Sequence, residues 1–221
     1  MAGDADTLFL ISIDPPLASG DLRAVLSRLR ESWPPERLVA LLASPLTSVV
    51  RAAARCLGLV GSMCHCQPLV ALLRHSDEQV VGAAEDALWS IWLRAGSEAA
   101  NEQLAVAVEH IRNGRLEAAL SVLDELWHSA GSFAEVHHQR GLVLHWLERY
   151  EQARAAYQRA VELNPCHFAA LAGLGHICVE QDDFASALRY YRQALAIHPR
   201  LAEIEQIVPQ LEAALSRRVV A

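Results

Sequence analysis

A period of 34 residues in the C-terminal half is the feature that most restricts how this chain can fold. Residues of matching size and type recur at that interval: Gly141 and Gly175, Ala153 and Ala187, Tyr157 and Tyr191, Ala160 and Ala194, Pro165 and Pro199. One further step back meets a weaker copy, made of Ala107, Ala119, Leu123, Leu126 and Gly131. Self-similarity at a fixed interval of this length predicts a stack of equal structural units, each burying its apolar face on the next.

Each unit is predicted to be a pair of helices. Apolar residues recur at helical spacing on both sides of Asn113-Gly114, Glu148-Arg149 and Asp182-Asp183, which are turn-forming dipeptides. The predicted helices span residues 99–112, 115–128, 134–147, 151–163, 168–181 and 184–197. After Pro199, the stretch 201–218 has apolar residues at the same spacing and is predicted to cover the exposed edge of the last unit.

The pattern within each unit resembles the tetratricopeptide repeat. Gly141 and Ala153 stand where its two helices cross closely, Tyr157 stands where a large side chain fills the gap, and Asn164-Pro165 ends the second helix. The resemblance implies an all-α protein, an α-solenoid of antiparallel helix pairs. It also implies that the first helix of each pair lines a concave groove that binds partners. The usual aromatic residues of that first helix are replaced, early in the helix by Gln103, His137 and Leu171 and later by His110, Leu144 and Cys178.

A shorter period of 31 residues precedes these repeats. Leu41-Leu42, Val49-Val50, Ala52-Ala53 and Leu57 recur as Leu72-Leu73, Val80-Val81, Ala83-Ala84 and Leu88. This part resembles the short HEAT repeat of phycobilisome-lyase-like proteins, and Arg51 matches the arginine of that family, whereas Gly82 stands at the same place in the second copy. The predicted organisation is a HEAT-like segment at 21–96, beginning with a partial helix over 21–31, then tetratricopeptide repeats at 97–200 and a capping helix and tail at 201–221. We expect the two arrays to pack end to end.

Residues 1–20 are left without an assigned structure. The run Thr7 to Ile13 is apolar and β-like, but no second strand is visible for it to pair with. An extended segment lying on the first helices and a disordered segment both fit the sequence.

Composition narrows the choice of partners and compartment. The net charge is −7, and all 19 basic residues are arginines spread over both halves, so no basic module for nucleic acid is visible. No apolar run approaches the roughly 18 residues of a membrane span, and the first residues are acidic where a secretory signal is basic. The five cysteines are odd in number and irregularly spaced, which favours reduced thiols. We therefore expect a cytoplasmic protein that binds neither nucleic acid nor membrane.

The tetratricopeptide resemblance places partner-binding residues on the first helices. Seven of them are predicted to contact a protein or peptide partner: Glu135, His138, Leu142, His145, Trp146, His176 and Glu180. Trp146 is the first choice for an anchor, because tryptophan is enriched among binding hot spots. The alternative is that Trp146 packs between repeats and the histidines are satisfied locally. A carboxylate clamp for chaperone C-termini is disfavoured, because its positions hold Leu104, Val108, Gln139, Ala169 and Gly173.

Chemistry of other kinds finds little support in the sequence. Cys64-His65-Cys66 carries zinc-type ligands but lacks the second pair that a structural site needs, and His137 and His138 point apart on a helix. No motif sets a nucleophile against a base. The sequence therefore predicts a scaffold or adaptor without catalysis, metal or cofactor. Two alternatives stay open: a lyase or lyase-chaperone acting on a tetrapyrrole-bearing protein, and a self-assembly module. The sequence identifies neither the partner nor the oligomeric state.

Overall fold

Helices account for all the regular structure. The computed structural model describes residues 2–220, with side chains for residues 4–217. Over this part of the chain there are thirteen α-helices and one short 3-10 helix, and no strand. The all-α prediction is confirmed, and successive helix pairs of the kind that build an α-solenoid recur along the chain. The chain divides into two compact units, Met1–Trp92 and Leu93–Ala221.

The first unit contains short and long helices in alternation after two initial helices. Its elements are α1 (Ala2–Ser19), α2 (Leu22–Ser32), α3 (Pro35–Leu41), α4 (Thr47–Val60), the 3-10 helix (Met63–His65), α5 (Cys66–Leu72) and α6 (Glu78–Leu93), whose last residue belongs to the second unit. The pair α3 and α4 recurs as α5 and α6 at the 31-residue interval of the sequence. Their identity as HEAT repeats stays a prediction.

Helix α1 differs from both conformations that the sequence left open for residues 1–20. Asp6, Phe9 and Ile13 are buried and lie on one helical face. The Phe9 ring meets Trp33 edge-on at 4.9 Å between centroids, and the Trp33 indole N–H donates to Ser12 Oγ at 3.0 Å. A β-like composition is a weak preference, and here the packing of one face on the neighbouring helices decides the conformation.

The second unit contains seven helices of similar length. They are α7 (Glu98–Arg112), α8 (Leu116–Ser129), α9 (Ala134–Trp146), α10 (Tyr150–Leu163), α11 (Phe168–Glu180), α12 (Phe184–Ile197) and α13 (Ala202–Val220). The predicted bounds of the first six agree with these to within one residue at every end. Within each pair the two helices pack on each other, and α13 packs on α12 with Ile204 and Leu211 buried.

The turn inside each pair has the same backbone geometry three times. Gly114, Glu148 and Asp182 have positive φ angles of 68°, 58° and 57°. After each of them, the next residue donates its N–H to a carbonyl five residues back, at 2.8 to 2.9 Å. This is the Schellman termination, which needs one left-handed residue just after the helix. Only the first copy has the glycine that adopts this conformation without strain.

Tyrosine rings set the crossing of the helices in the two clear repeats. A Cβ added to Gly141 would stand 2.7 Å from the Tyr157 ring, and one added to Gly173 would stand 2.5 Å from the same ring. Gly175 faces the Tyr191 ring still more closely. Gly141 and Gly175 therefore occupy equivalent helix crossings, as the 34-residue period predicts.

Candidate partner-binding surface

Two first helices, α9 and α11, carry the seven residues predicted to bind a partner, and the structure gives these residues different exposures. Glu135 and His138 are buried, with 1% and 7% of their surface exposed. Leu142, His145 and His176 are half-buried, whereas Glu180 is exposed. Trp146 is exposed over 52% of its surface, which is large for an indole. The exposed members of the set therefore lie towards the C-terminal ends of α9 and α11.

Glu135 and His138 belong to a buried polar cluster at the start of α9. The Glu135 carboxylate accepts hydrogen bonds from His138 Nδ1 at 3.0 Å, Gln139 Nε2 at 2.7 Å and His167 Nε2 at 3.1 Å. His167 precedes α11, and its Nδ1 accepts the N–H of Ala170 at 3.3 Å, which caps that helix. We call Glu135, His138, Gln139 and His167 the α9–α11 cluster, because it joins the first helices of two successive repeats.

The cluster keeps a carboxylate ionised inside the protein. Burial by itself would raise the pKa of Glu135, but the charge and hydrogen bond of His138 and the hydrogen bond of His167 hold that pKa well below its usual range. Burial lowers the pKa of His167, so this imidazole is neutral near pH 7. A neutral His167 whose Nδ1 accepts an amide proton must carry its own proton on Nε2, where it faces Glu135.

Among the described residues, the same cluster is the one group of three or more His, Cys, Asp or Glu side chains close enough together to hold a metal ion. Ligand atoms of Glu135, His138 and His167 lie within 4.8 Å of one another, and all three residues are buried. Adjacent His137 takes no part: its Nε2 bonds the Gly131 carbonyl at 2.9 Å, which agrees with the prediction that neighbouring helical histidines point apart.

A second group of polar side chains surrounds the exposed ends of α9 and α11. The Tyr191 hydroxyl and His176 Nδ1 share a hydrogen bond of 2.8 Å, and the rings of His145 and Tyr150 meet edge-on at 5.8 Å. Burial lowers the pKa of both His145 and His176. The nearby Glu180 carboxylate acts in the opposite direction on both pKa values but does not outweigh burial. Both imidazoles are therefore neutral near pH 7 and present hydrogen-bonding nitrogens beside a carboxylate.

Sequence reasoning missed three contributors to these sites. His167 follows Asn164-Pro165, but its counterparts one period away are Phe133 and Leu201, so the repeat register marked the position as apolar. Tyr191 was assigned only a packing role. Glu203, whose charge acts on His176 and Tyr191, lies in α13, outside the repeat register that located the groove.

The structure separates the members of Cys64-His65-Cys66. Cys66 is buried in α5, whereas Cys64 is exposed with its Sγ 3.4 Å from His65 Nδ1. That Nδ1 accepts the N–H of Ser62 at 3.0 Å, and His65 Nε2 lies 3.7 Å from the same Sγ.

All five cysteines are free thiols, and burial raises the pKa of Cys56 to about 12. Among the described helices, none combines the length and the apolar character needed to cross a bilayer.

Comparison with known proteins finds a family model similar to part of the second unit. Residues 132–200 match the family model described as "Tetratricopeptide repeat". The matched segment runs from just before α9 to just after α12, which contains both clear copies of the 34-residue period. Over this segment the chain is similar to the tetratricopeptide repeat. No curated protein matches the sequence.

Solved structures support the same fold. The first TPR of Spaghetti (RPAP3), bound to the HSP90 peptide SRMEEVD, aligns with a TM-score of 0.53 at 17% identity, covering 54% of this chain and 95% of that one. The TPR2B domain of yeast Sti1, in a pHsp70 complex, aligns with a TM-score of 0.50 at 20% identity, covering 53% of this chain and 99% of that one. At these identities the likeness concerns the fold.

Proposed function

We propose that this protein is a non-catalytic adaptor that binds a peptide or a helix of another protein on the groove face of α7, α9 and α11. The observation that carries the proposal is the exposure of Trp146 at the end of α9, beside half-buried polar side chains. A large aromatic residue exposed among hydrogen-bonding groups is typical of a binding hot spot rather than of a core.

Within the proposed site the seven residues have different tasks. Trp146 provides the apolar anchor, with Leu142 one turn before it on the same helix. His145, His176 and Glu180 offer polar contacts. Glu135 and His138 act indirectly, because their buried side chains bond each other and hold α9 to the start of α11.

The structural neighbours are compatible with this kind of partner. RPAP3 and Sti1 domains of the same fold are described as complexes with an HSP90 peptide and with pHsp70. The peptide SRMEEVD is acidic, and this chain has no lysine or arginine at the clamp positions Leu104, Val108, Gln139, Ala169 and Gly173. We therefore infer that the adaptor serves a different peptide class from that one.

A matched pair of tryptophan variants tests the proposal. Trp127 on α8 is also exposed, over 43% of its surface, but it lies on a second helix, outside the proposed groove face. In affinity capture from the native host, Trp146→Ala should lose the partners that wild type and Trp127→Ala retain. Identical partners for all three proteins would contradict the groove assignment.

The same preparations separate an adaptor from a self-assembly module. Size-exclusion chromatography with light scattering should show a constant mass over a wide range of concentrations when the groove serves another protein. A mass that rises with concentration in wild type and Trp127→Ala, but not in Trp146→Ala, would mean that the partner is a second copy of this chain.

A further inference from the structure

We propose that Glu135, His138 and His167 form a binding site for a divalent transition-metal ion, for which Zn²⁺ is the best match. This site is separate from the exposed groove residues and does not depend on the adaptor role. Two imidazoles and a carboxylate form a ligand set that zinc uses in proteins, and the imidazole nitrogens disfavour the oxygen-preferring Mg²⁺ and Ca²⁺.

The positions of the ligand atoms support the assignment. Glu135 and His138 are three residues apart on one turn of α9, and His167 approaches from the start of α11. The two oxygens of Glu135 lie 3.0 Å from His138 Nδ1 and 3.1 Å from His167 Nε2. Zinc bonds of about 2.0 to 2.2 Å in tetrahedral arrangement separate neighbouring ligand atoms by roughly 3.3 Å. All three ligand atoms lie within 4.8 Å of one another, so the side chains must draw closer together to hold the ion.

Charge pairing is compatible with a cation at this place. The Glu135 side chain has no exposed surface, and its hydrogen-bond donors named above are two imidazoles and one amide. A buried carboxylate is stabilised by groups of opposite charge, and a divalent ion bound to Glu135 would be such a group.

Metal binding requires one particular tautomer of each imidazole. His138 Nδ1 and His167 Nε2 must present lone pairs to the ion, so each ring carries its proton on the other nitrogen. For His167 that nitrogen is Nδ1, which accepts the Ala170 N–H, so this helix cap is given up. A single cap contributes only a small part of the free energy that a structural zinc site releases, so the exchange favours the ion.

Gln139 offers a fourth ligand for the metal ion. Its Nε2 lies 2.7 Å from Glu135 Oε1, and a half-turn of the amide presents its oxygen to the same point. With this oxygen the ion has four protein ligands from two successive repeats, which is the closed arrangement of a structural site rather than the open one of a catalytic site. We infer that the ion stabilises the second unit by joining α9 to α11.

The test is metal titration of the full-length protein after treatment with chelator. All measurements use a background with Cys64→Ser and His65→Asn, because this exposed thiol and imidazole could hold zinc by themselves. We expect one equivalent of Co²⁺ to give a visible ligand-field spectrum, Zn²⁺ to abolish it, and Zn²⁺ to raise the Tm by at least about 3 °C.

His167→Asn is the decisive variant. Asparagine caps a helix as well as histidine does here, so α11 should still form, but the amide removes the imidazole ligand. We expect at least a tenfold loss of Zn²⁺ affinity in this variant, with helical circular dichroism unchanged. His128→Asn, at an exposed position of α8 outside both the cluster and the proposed groove, should bind Zn²⁺ as the background protein does.

Two results would overturn the assignment. One is the absence of stoichiometric Co²⁺ or Zn²⁺ binding by the folded background protein. The other is equal affinity in the background protein and His167→Asn, which would place any bound ion elsewhere. If His167→Asn lost its helical signal, Gln139→Leu and His138→Asn would be titrated in the same way, and unchanged affinity in both would also refute the site.

Discussion

The two units let their helices approach each other by different means. In the two clear repeats of the second unit a tyrosine ring lies against glycine at the helix crossing, as Tyr157 does against Gly141 and Gly173. In the first unit the contact is between small residues: a Cβ added to Gly58 of α4 would stand 3.1 Å from the Cα of Ala87 in α6. A ring that fills a defined gap specifies distance and angle together, whereas alanine surfaces specify mainly distance.

The units also differ in what they bury besides apolar side chains. The second contains the ionised Glu135 with three donors, and the first contains Asp6, which accepts one hydrogen bond from Ser44 at 2.7 Å. A buried charge that depends on several partners is costly to disturb. We therefore expect the second unit to be the less tolerant of substitution.

The largest expected effect is at Glu135. Glu135→Gln should lower the free energy of unfolding by about 4 kcal/mol, because the new amide sets a donor against donors that are already buried. Asp6→Asn should cost about 1 kcal/mol, because its neighbour Ser44 can reorient its hydroxyl. Urea denaturation followed by circular dichroism, with chelator present, measures both. Equal losses would contradict the contrast between the units.

The next effect tests the crossings. Gly175→Ala should cost about 2 kcal/mol, because its Cβ meets the fully buried Tyr191 ring, which has no room to move. Gly82→Ala in α6 is the matched control: nothing lies within 4 Å of its added Cβ, and alanine should stabilise the helix by up to about 1 kcal/mol. Thermal denaturation compares the two, and a stable Gly175→Ala protein would mean that the ring does not set the crossing.

A smaller effect should appear at the repeated turn. Asp182→Gly should raise the free energy of unfolding by about 0.5 to 1 kcal/mol, because glycine adopts its φ of 57° without strain. Gly114→Ala, at the equivalent turn of the first pair, should lower it by about 1 kcal/mol. If both substitutions changed the free energy of unfolding in the same direction, the explanation by backbone strain at these turns would be wrong.

The smallest effect concerns pH. The pKa values of His145 and His176 are lowered by burial in the folded state, so the unfolded chain binds more protons once the pH falls below the ordinary histidine value of about 6.5. The stability that these two neutral histidines contribute is complete above that pH and declines below it. We expect the free energy of unfolding to fall by less than about 1 kcal/mol between pH 6.5 and 5.5, after allowance for solvent screening. Replacing both with asparagine should flatten this part of the profile of Tm against pH, and an unaltered slope would show that other groups cause it.

Much of the second unit could be predicted because its repeat is visible as a regular alternation of small and large residues. Glycine, alanine and tyrosine at a constant interval specify where helices cross, and the turn dipeptides mark where they end. The six predicted helices agree with α7 to α12 for that reason. In the first unit, α1 could not be predicted, since its β-like residues become helical only when Phe9 and Ile13 pack against partners such as Trp33.

The candidate site was predicted less completely, because burial depends on what faces a residue from another helix. Repeat register placed Glu135 and Trp146 on the same groove face, yet one is buried and the other is exposed. Nothing near Glu135 in sequence indicates that His167, 32 residues away, donates to its carboxylate.

By itself, the sequence determined the helix pairs, their period and the residues at the crossings, because these depend on local spacing and on side-chain volume. Only the tertiary structure decided which polar side chains are enclosed and which meet solvent, because that depends on contacts between residues distant in the chain. The helical state of residues 2–19 and the joining of α9 to α11 through Glu135 and His167 were both decided in this way.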